Sequence, residues 1–204
     1  MDSFLLSKIV ALIIVLLGGS ANGQLVYGFG ECPIVPGQDT FDPAQCVGTW
    51  YEYQRFPAPY QSGVDCSTAI YTLDGDTINV VNTGTIKNPA NDVVINVRAE
   101  CFAVVPDPAK PADFVVSFTS GDIPTDVVPN DTPNYIIQET DYTSYSVVYA
   151  CEQLGDTNIQ TAWILTREPG VAPPNLAELE SNLEAAGLDI GNFFVFGQTD
   201  CPDR

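Results

Sequence analysis

The chain has 204 residues, with 26 acidic against 7 basic side chains and a formal net charge of −19. A protein this acidic repels nucleic acid and anionic membrane surfaces, so neither is expected as a partner. The chain contains no histidine. That excludes a Ser-His-Asp triad, a haem with a proximal histidine and a histidine-ligated zinc site, and we expect no metal.

The N-terminus has the pattern of a secretory signal peptide. Lys8 precedes an apolar run over residues 9–17, and small residues follow as far as Gly23. The apolar run is too short to span a bilayer, so a cleaved signal is favoured over a membrane anchor. We therefore predict a signal peptide over residues 1–23 and one secreted domain over residues 24–204, with no membrane span.

Six cysteines follow this segment: Cys32, Cys46, Cys66, Cys101, Cys151 and Cys201. An even number of cysteines in an oxidising compartment indicates disulfides, three in this case. Six cysteines allow 15 pairings, and spacing alone does not choose among them.

Short β-type runs, separated by Gly, Pro, Asn and Asp, dominate the middle of the chain. The predicted strands are 48–56, 65–73, 77–86, 92–105, 112–119, 134–140, 144–151 and 160–167. Sequential strands with short links predict a closed up-and-down barrel or a sandwich. In the fourth strand Val97, Ala99 and Cys101 share one face, and such an apolar inner face either packs as a core or encloses one small ligand.

One helix is predicted after the strands. Pro173 and Pro174 open it, and Gly187 closes it. Its apolar stripe is Leu176, Leu179, Leu183 and Ala186. The run 191–196 is a candidate for a last strand.

Three sequence blocks resemble those of the lipocalin family: a G-x-W block at the first strand, a T-D-Y block, and a final block that ends in Arg. The residues concerned are Gly48, Trp50, Thr140, Asp141, Tyr142 and Arg167. The residues around the cysteines are similar to the branch of apolipoprotein D and the insect bilin-binding proteins. The resemblance covers essentially the whole mature chain. It implies an all-β fold, an eight-stranded antiparallel up-and-down barrel (a calyx) with one C-terminal helix packed on the outside.

Strand order tests this resemblance. The first strand begins and the eighth strand ends at the same, closed end of such a barrel. We therefore expect Arg167 to stack on Trp50, a contact worth ~0.5–2 kcal/mol. The signature residues are predicted to build the floor of the barrel and to have no catalytic role.

The resemblance also implies a disulfide pattern, which pairs Cys32 with Cys151 and Cys66 with Cys201. The sequence departs from the family at Cys46 and Cys101, which should both approach the lower cavity. We predict a third disulfide between Cys46 and Cys101. The alternative is two free thiols that face the cavity.

Two aromatic side chains are the first candidates for ligand contacts. Trp163 shares a face with Arg167, and both Trp163 and Tyr71 align with pocket aromatics of the resembled branch. Such walls suit a flat, mostly apolar ligand. Plain core packing is the alternative for each. The further candidates are Phe56, Phe114, Val116 and Phe118.

Glu52 and Gln54 share the side of the first strand that carries Trp50. A regular pleat would put their polar groups in the calyx, where each would need a partner and could bind a ligand. The alternative is a bulge that turns them outward.

Asn130 begins the only glycosylation sequon, N-D-T, and we predict a glycan there. Strand order puts the adjacent link, 121–129, at the open mouth. That link would either gate access to the calyx or form a surface loop.

These observations favour a secreted carrier or sequestering protein for a small hydrophobic molecule such as a lipid, sterol, retinoid, bilin or carotenoid. No cofactor is required, although a bilin or carotenoid chromophore is an option, and no catalysis is expected. One alternative is an isomerase that uses a cavity thiol, Cys46 or Cys101. Another is a binder of small cationic amines through Glu52. A receptor partner and self-association stay open.

Overall fold

The computed structural model describes residues 25–87, 94–120 and 132–201. The predicted signal peptide, the link 121–129 and the sequon residue Asn130 lie outside these ranges. The strands are β1 (Val26–Phe29), β2 (Gly48–Arg55), β3 (Val64–Asp74), β4 (Thr77–Lys87), β5 (Val94–Val104), β6 (Asp113–Ser120), β7 (Tyr135–Thr140), β8 (Tyr145–Leu154), β9 (Thr157–Thr166) and β10 (Phe194–Val195). The helices are α1 (Pro43–Cys46) and α2 (Leu176–Ala185), and 3₁₀ turns span Pro59–Gln61 and Ile190–Asn192.

Strands β2 to β9 form a closed antiparallel barrel. Each pairs with the next along the chain, and β9 pairs back onto β2. The closing register places Tyr51 opposite Thr166 and Arg55 opposite Trp163. The β9–β2 pairing thus joins the first and last strands of the barrel. The predicted all-β, eight-stranded barrel is confirmed, and the eight predicted strands correspond to β2–β9.

Two short strands extend the sheet beyond the barrel. The predicted run 191–196 contributes β10, which pairs with Arg55 and Gln54 of β2. Strand β1 pairs with β9 and was not predicted. Gly28 permits that pairing, because a Cβ at its position would lie 2.3 Å from the side-chain oxygen of Asn158.

The alternating faces of the strands produce two apolar clusters. The inner cluster lies inside the barrel and comprises Phe41, Cys46, Trp50, Ala69, Tyr71, Ile78, Val80, Cys101, Ala103, Ala112, Phe114, Ile137, Val148, Trp163 and Leu165, with Val116, Phe118 and Tyr135 packed against it. The outer cluster lies between the barrel and α2 and includes Phe56, Tyr145, Val147, Tyr149, Ile164, Leu179 and Leu183.

Helix α2 packs on the outside of the barrel, as predicted. Leu179 and Leu183 are fully buried in the outer cluster. Gly187 lies two residues beyond the end of the helix, and its φ of +95° suits glycine. The N–H of Leu188 donates to the carbonyl of Leu183 at 3.1 Å, and the N–H of Gly187 donates to Glu184 at 2.9 Å. This pair of bonds is the Schellman motif that satisfies the last carbonyls of a helix.

Candidate ligand-binding site

The closed end of the barrel is held by Arg167 and Trp50. The guanidinium carbon of Arg167 lies 3.6 Å from the centroid of the indole ring, so the predicted stacking is confirmed. The same guanidinium donates to the carbonyls of Thr49 and Tyr142, each at 2.9 Å, and of Val47 at 3.0 Å. Arg167 thus ties the start of β2 to the β7–β8 turn and closes the floor.

Asp141 organises that turn. Its carboxylate accepts the N–H groups of Thr143, Ser144 and Tyr145 at 2.7–3.0 Å and also the Ser144 hydroxyl. Burial alone would raise the pKa of Asp141, but the hydrogen bonds from Ser144 and its neighbours outweigh burial and lower the pKa. Tyr142 follows with a left-handed φ of 65°, and its hydroxyl accepts the N–H of Asp42 at 2.8 Å. These contacts attach the β7–β8 turn to the segment that precedes β2.

The inner wall brings together most of the candidate ligand contacts. Tyr71, Phe114 and Trp163 belong to the inner cluster, and Val116 and Phe118 pack against it. The ring of Trp163 lies 6.0 Å from that of Tyr135, centroid to centroid. A mostly aromatic and aliphatic surface therefore lines the barrel interior.

A pair of tyrosine hydroxyls interrupts this apolar lining. The oxygens of Tyr71 and Tyr135 are 2.7 Å apart. Burial raises the pKa of both phenols well above the ordinary value, so both stay protonated at neutral pH. Tyr71 was a candidate from the sequence, whereas Tyr135 was missed. The only available signal was the alternation of β7, which places Tyr135 and Ile137 on the inner face.

A bulge in β2 separates the two polar candidates. The register of β2 against β9 shifts between Glu52 and Gln54. Gln54 consequently faces outward, where its amide donates to Glu180 of α2 at 2.7 Å. The prediction that Gln54 contacts a ligand was wrong, because the bulge turns this side chain away from the barrel interior. Glu52 stays buried on the interior side of the barrel, opposite Leu165 of the inner cluster.

The bulge also buries a charge that sequence reasoning missed. Arg55 is 1% exposed and forms an ion pair with Glu52. It also donates to the carbonyls of Gln61 at 2.8 Å and of Val64 at 3.0 Å, and its guanidinium lies 3.5 Å from the ring centroid of Phe196. A buried carboxylate requires a positively charged or hydrogen-bonding partner. The expected burial of Glu52 was therefore the one sequence feature that could have predicted the role of Arg55.

The prediction that Phe56 contacts a ligand was also wrong. Its ring packs 4.6 Å from that of Phe193, centroid to centroid, in the outer cluster. The bulge adds one residue to β2. Each side chain that follows it therefore lies on the opposite face of the sheet from the one that a regular pleat would give.

Two disulfides pin the ends of the chain to the barrel. Cys32 is bonded to Cys151 and Cys66 to Cys201, which confirms both pairings implied by the resemblance. The first bond attaches the N-terminal arm to β8. The second attaches the C-terminal tail to β3.

The predicted Cys46–Cys101 disulfide is absent, and both residues are buried free thiols. Each thiol has its own surroundings. Cys46 lies beside Arg167 and Trp50 at the floor, whereas Cys101, on β5, is 3.8 Å from the amide nitrogen of Asn82. Burial raises the pKa of Cys46 to about 12 and that of Cys101 to about 11.

An apolar groove of about 470 Å³ lies near the closed end, between the segment before β2 and strand β3. Its lining residues are Ala44, Val47, Gly48, Ile70, Tyr71, Thr72 and Leu73. With the exception of Tyr71 it shares none of the predicted ligand contacts. The inner cluster is therefore the candidate site.

The family model of the lipocalin-like domain matches residues 41–198. This chain is a lipocalin. The match spans the floor residues described above, from Trp50 to Arg167. In the part of the chain described by the structure, no helix of this lipocalin is long and apolar enough to cross a membrane.

Known relatives resemble this lipocalin over most of their length. Apolipoprotein D of Mus musculus is 32% identical over 188 residues, covering 90% of each chain. The Lazarillo protein of Schistocerca americana is 29% identical over 190 residues, covering 90% of this chain and 81% of its own. Among solved structures, insecticyanin of Manduca sexta superposes with a TM-score of 0.67 at 22% identity, covering 87% of this chain and 91% of its own.

Proposed function

We propose that this lipocalin is a secreted carrier or sequestering protein that holds one small, mostly apolar molecule in its barrel. The Tyr71–Tyr135 pair is the observation on which this proposal rests. Two hydroxyls 2.7 Å apart satisfy one hydrogen bond between themselves. One O–H donor and several lone pairs remain available in an apolar surrounding. The pair can therefore fix the polar end of a ligand whose body packs on the inner wall.

The lining favours a flat ligand. The rings of Tyr135 and Trp163 are inclined by 35° and 6.0 Å apart, an arrangement that offers stacking surfaces. A sterol, retinoid, bilin or carotenoid has the shape and the small number of polar atoms that such a site accepts. A coloured protein isolated from the native tissue would select the bilin or carotenoid.

The state of the two thiols supports binding without catalysis. Thiolates are the nucleophilic form of cysteine. With pKa values of about 12 for Cys46 and about 11 for Cys101, both remain protonated at neutral pH. An isomerase would need an adjacent base to activate one of them, and the chain has no histidine to supply it.

The ion pair of Glu52 argues against binding of cationic amines. Glu52 is the acidic group nearest the calyx among the predicted contacts, and Arg55 already neutralises it. A second cation at this carboxylate would have to displace a buried guanidinium that makes three further hydrogen bonds.

Secretion is supported by the two disulfides and by the N-terminal pattern. Disulfides persist in oxidising compartments. The signal peptide and a glycan on Asn130 remain part of the proposal, and mass spectrometry of the secreted protein before and after glycosidase treatment tests both.

The deciding experiment starts from protein purified from its own tissue. Native mass spectrometry should show a 1:1 complex with a small molecule, and organic extraction should release a mostly apolar compound. Recombinant protein should then bind that compound with quenching of Trp163 fluorescence. Protein that is ligand-free at isolation and that binds no sterol, retinoid, bilin or carotenoid would overturn the proposal.

A further inference from the structure

The 3₁₀ turn Pro59–Gln61, hereafter the mouth turn, places Tyr60 across the open end of the barrel. The turn links β2 to β3, yet the ring of Tyr60 lies 6.5 Å, centroid to centroid, from that of Phe118 on β6. Strand β6 is four strands away from β2 in the barrel order. Tyr60 therefore reaches across the mouth, and its hydroxyl is hydrogen-bonded to Thr161 of β9, although the side chain is 52% exposed.

Gln61 fastens this turn to the barrel interior. Its side-chain oxygen accepts the indole N–H of Trp163 at 3.0 Å, and its side-chain nitrogen donates to Glu52 at 2.5 Å. Its backbone carbonyl accepts from Arg55 at 2.8 Å. Three bonds thus connect one residue to β9, to the bulge of β2 and to the buried ion pair.

We propose that Gln61 is a positioning residue that latches the mouth turn over the calyx and so sets the rates at which the ligand enters and leaves. This inference rests on the proposed function and deepens it. The indole N–H of Trp163 is its single polar donor, and Gln61 occupies it. Trp163 consequently presents only its ring face to a ligand, while Gln61 uses the N–H to hold the turn.

A latch of this kind affects rates more than affinity. None of its three bonds involves the Tyr71–Tyr135 pair, and the bond to Trp163 uses the indole N–H and leaves the ring face to the ligand, so the latch closes over an empty and a filled calyx alike. Breaking it should raise the association and dissociation rate constants by the same factor and leave Kd unchanged. Loss of two side-chain hydrogen bonds, one of them to a carboxylate, corresponds to about 30-fold to 2000-fold in the opening equilibrium.

The test compares wild type with Gln61→Ala and Tyr60→Ala. Acrylamide quenching of tryptophan fluorescence in the ligand-free protein measures access to Trp163, because Trp50 is fully buried at the floor. Stopped-flow energy transfer from tryptophan to all-trans-retinol gives the association rate. Trapping of released retinol by phosphatidylcholine vesicles gives the dissociation rate.

In each single variant we expect faster acrylamide quenching and an equal acceleration of the association and dissociation rates. The double variant should show no further increase in quenching or in either rate.

Gln45→Ala is the matched control. Gln45 is an exposed glutamine at the closed end whose amide donates to Asp42 at 2.9 Å. It should leave quenching and both rates unchanged. Wild-type quenching in Gln61→Ala would overturn the latch whether or not retinol binds. Failure of wild type to bind retinol would count against a retinoid ligand under the proposed function, and the quenching comparison would still decide the latch.

Discussion

The hydroxyl of Tyr71 on β3 is hydrogen-bonded to that of Tyr135 on β7, on opposite sides of the barrel interior, with the two oxygens 2.7 Å apart. The pair is the polar centre of the inner cluster. Since burial keeps both phenols protonated, the pair stays a neutral hydrogen-bonding group at neutral pH.

Removing one hydroxyl should change ligand preference. In Tyr135→Phe the affinity for retinol should fall by about fivefold, since one net hydrogen bond is worth about 1 kcal/mol. Affinity for a hydrocarbon with the same ring and polyene should not change. Fluorescence titration of both ligands measures the ratio. Tyr149→Phe is the control, because Tyr149 is buried in the outer cluster and its hydroxyl has no partner among the described residues. Equal losses for both ligands would contradict recognition by the pair.

Loss of Arg167 should destabilise the barrel. Arg167→Ala removes the stacking on Trp50 and the bonds to the carbonyls of β2 and of the β7–β8 turn. We expect a fall in the free energy of unfolding of about 2–4 kcal/mol, measured by urea denaturation. Arg98→Ala should cost less than about 0.5 kcal/mol, because the Arg98 side chain is 59% exposed. Similar losses of unfolding free energy in the two variants would show that the contacts of Arg167 at the floor do not stabilise the barrel.

The thiol count should distinguish free cysteines from a third disulfide. Without reductant, a thiol reagent should find no reactive thiol in the native protein at pH 8 and two after unfolding in urea. Burial protects Cys46 and Cys101 and keeps them protonated. A count of zero after unfolding would show that the two cysteines are bonded.

The same thiols predict how stability depends on pH. Their pKa values rise from 9.0 in the reference state to about 12 and about 11 in the folded state. The unfolded chain therefore loses these protons first as the pH increases. The contribution of the two thiols to the free energy of unfolding is complete below about pH 9. It is lost as the pH rises towards the pKa values of the folded state. The free energy of unfolding should decline above pH 9, and less steeply in Cys46→Ala. If the free energy of unfolding of Cys46→Ala declined with pH as steeply as that of wild type, Cys46 would not contribute to the pH dependence.

The buried ion pair should be costly to break from one side. Glu52→Ala leaves the Arg55 guanidinium buried without its carboxylate, which should cost about 3–5 kcal/mol in urea denaturation. The double variant Glu52→Leu, Arg55→Met should recover most of this loss, since the remaining charge is also removed. A double variant as unstable as the single one would mean that the pair itself stabilises the barrel.

The repeated pattern of the strands made the barrel predictable. Alternating apolar residues between Gly- and Pro-containing turns specify strands, and sequential strands with short links pair with their neighbours. The stripe that includes Leu179 and Leu183 specified α2 in the same local way. The pairs Cys32–Cys151 and Cys66–Cys201 followed from the resemblance. The Arg167–Trp50 contact followed from strand order, which places both residues at the closed end of the barrel.

The polar contacts of the calyx were decided by the tertiary structure. One bulge between Glu52 and Gln54 turned Gln54 and Phe56 away from the interior and buried Arg55 beside Glu52. A bulge adds a single residue to one strand, and it reverses the faces of the residues that follow it. Barrel closure likewise chose which side chains meet across the interior. It brought Tyr135 to Tyr71 and Gln61 to Trp163, and it left Cys46 and Cys101 apart. The composition and alternation of the sequence thus determined an acidic outside and an apolar inside. Long-range strand register determined which polar atoms face each other within that interior, because hydrogen bonds require positions accurate to a few tenths of an ångström.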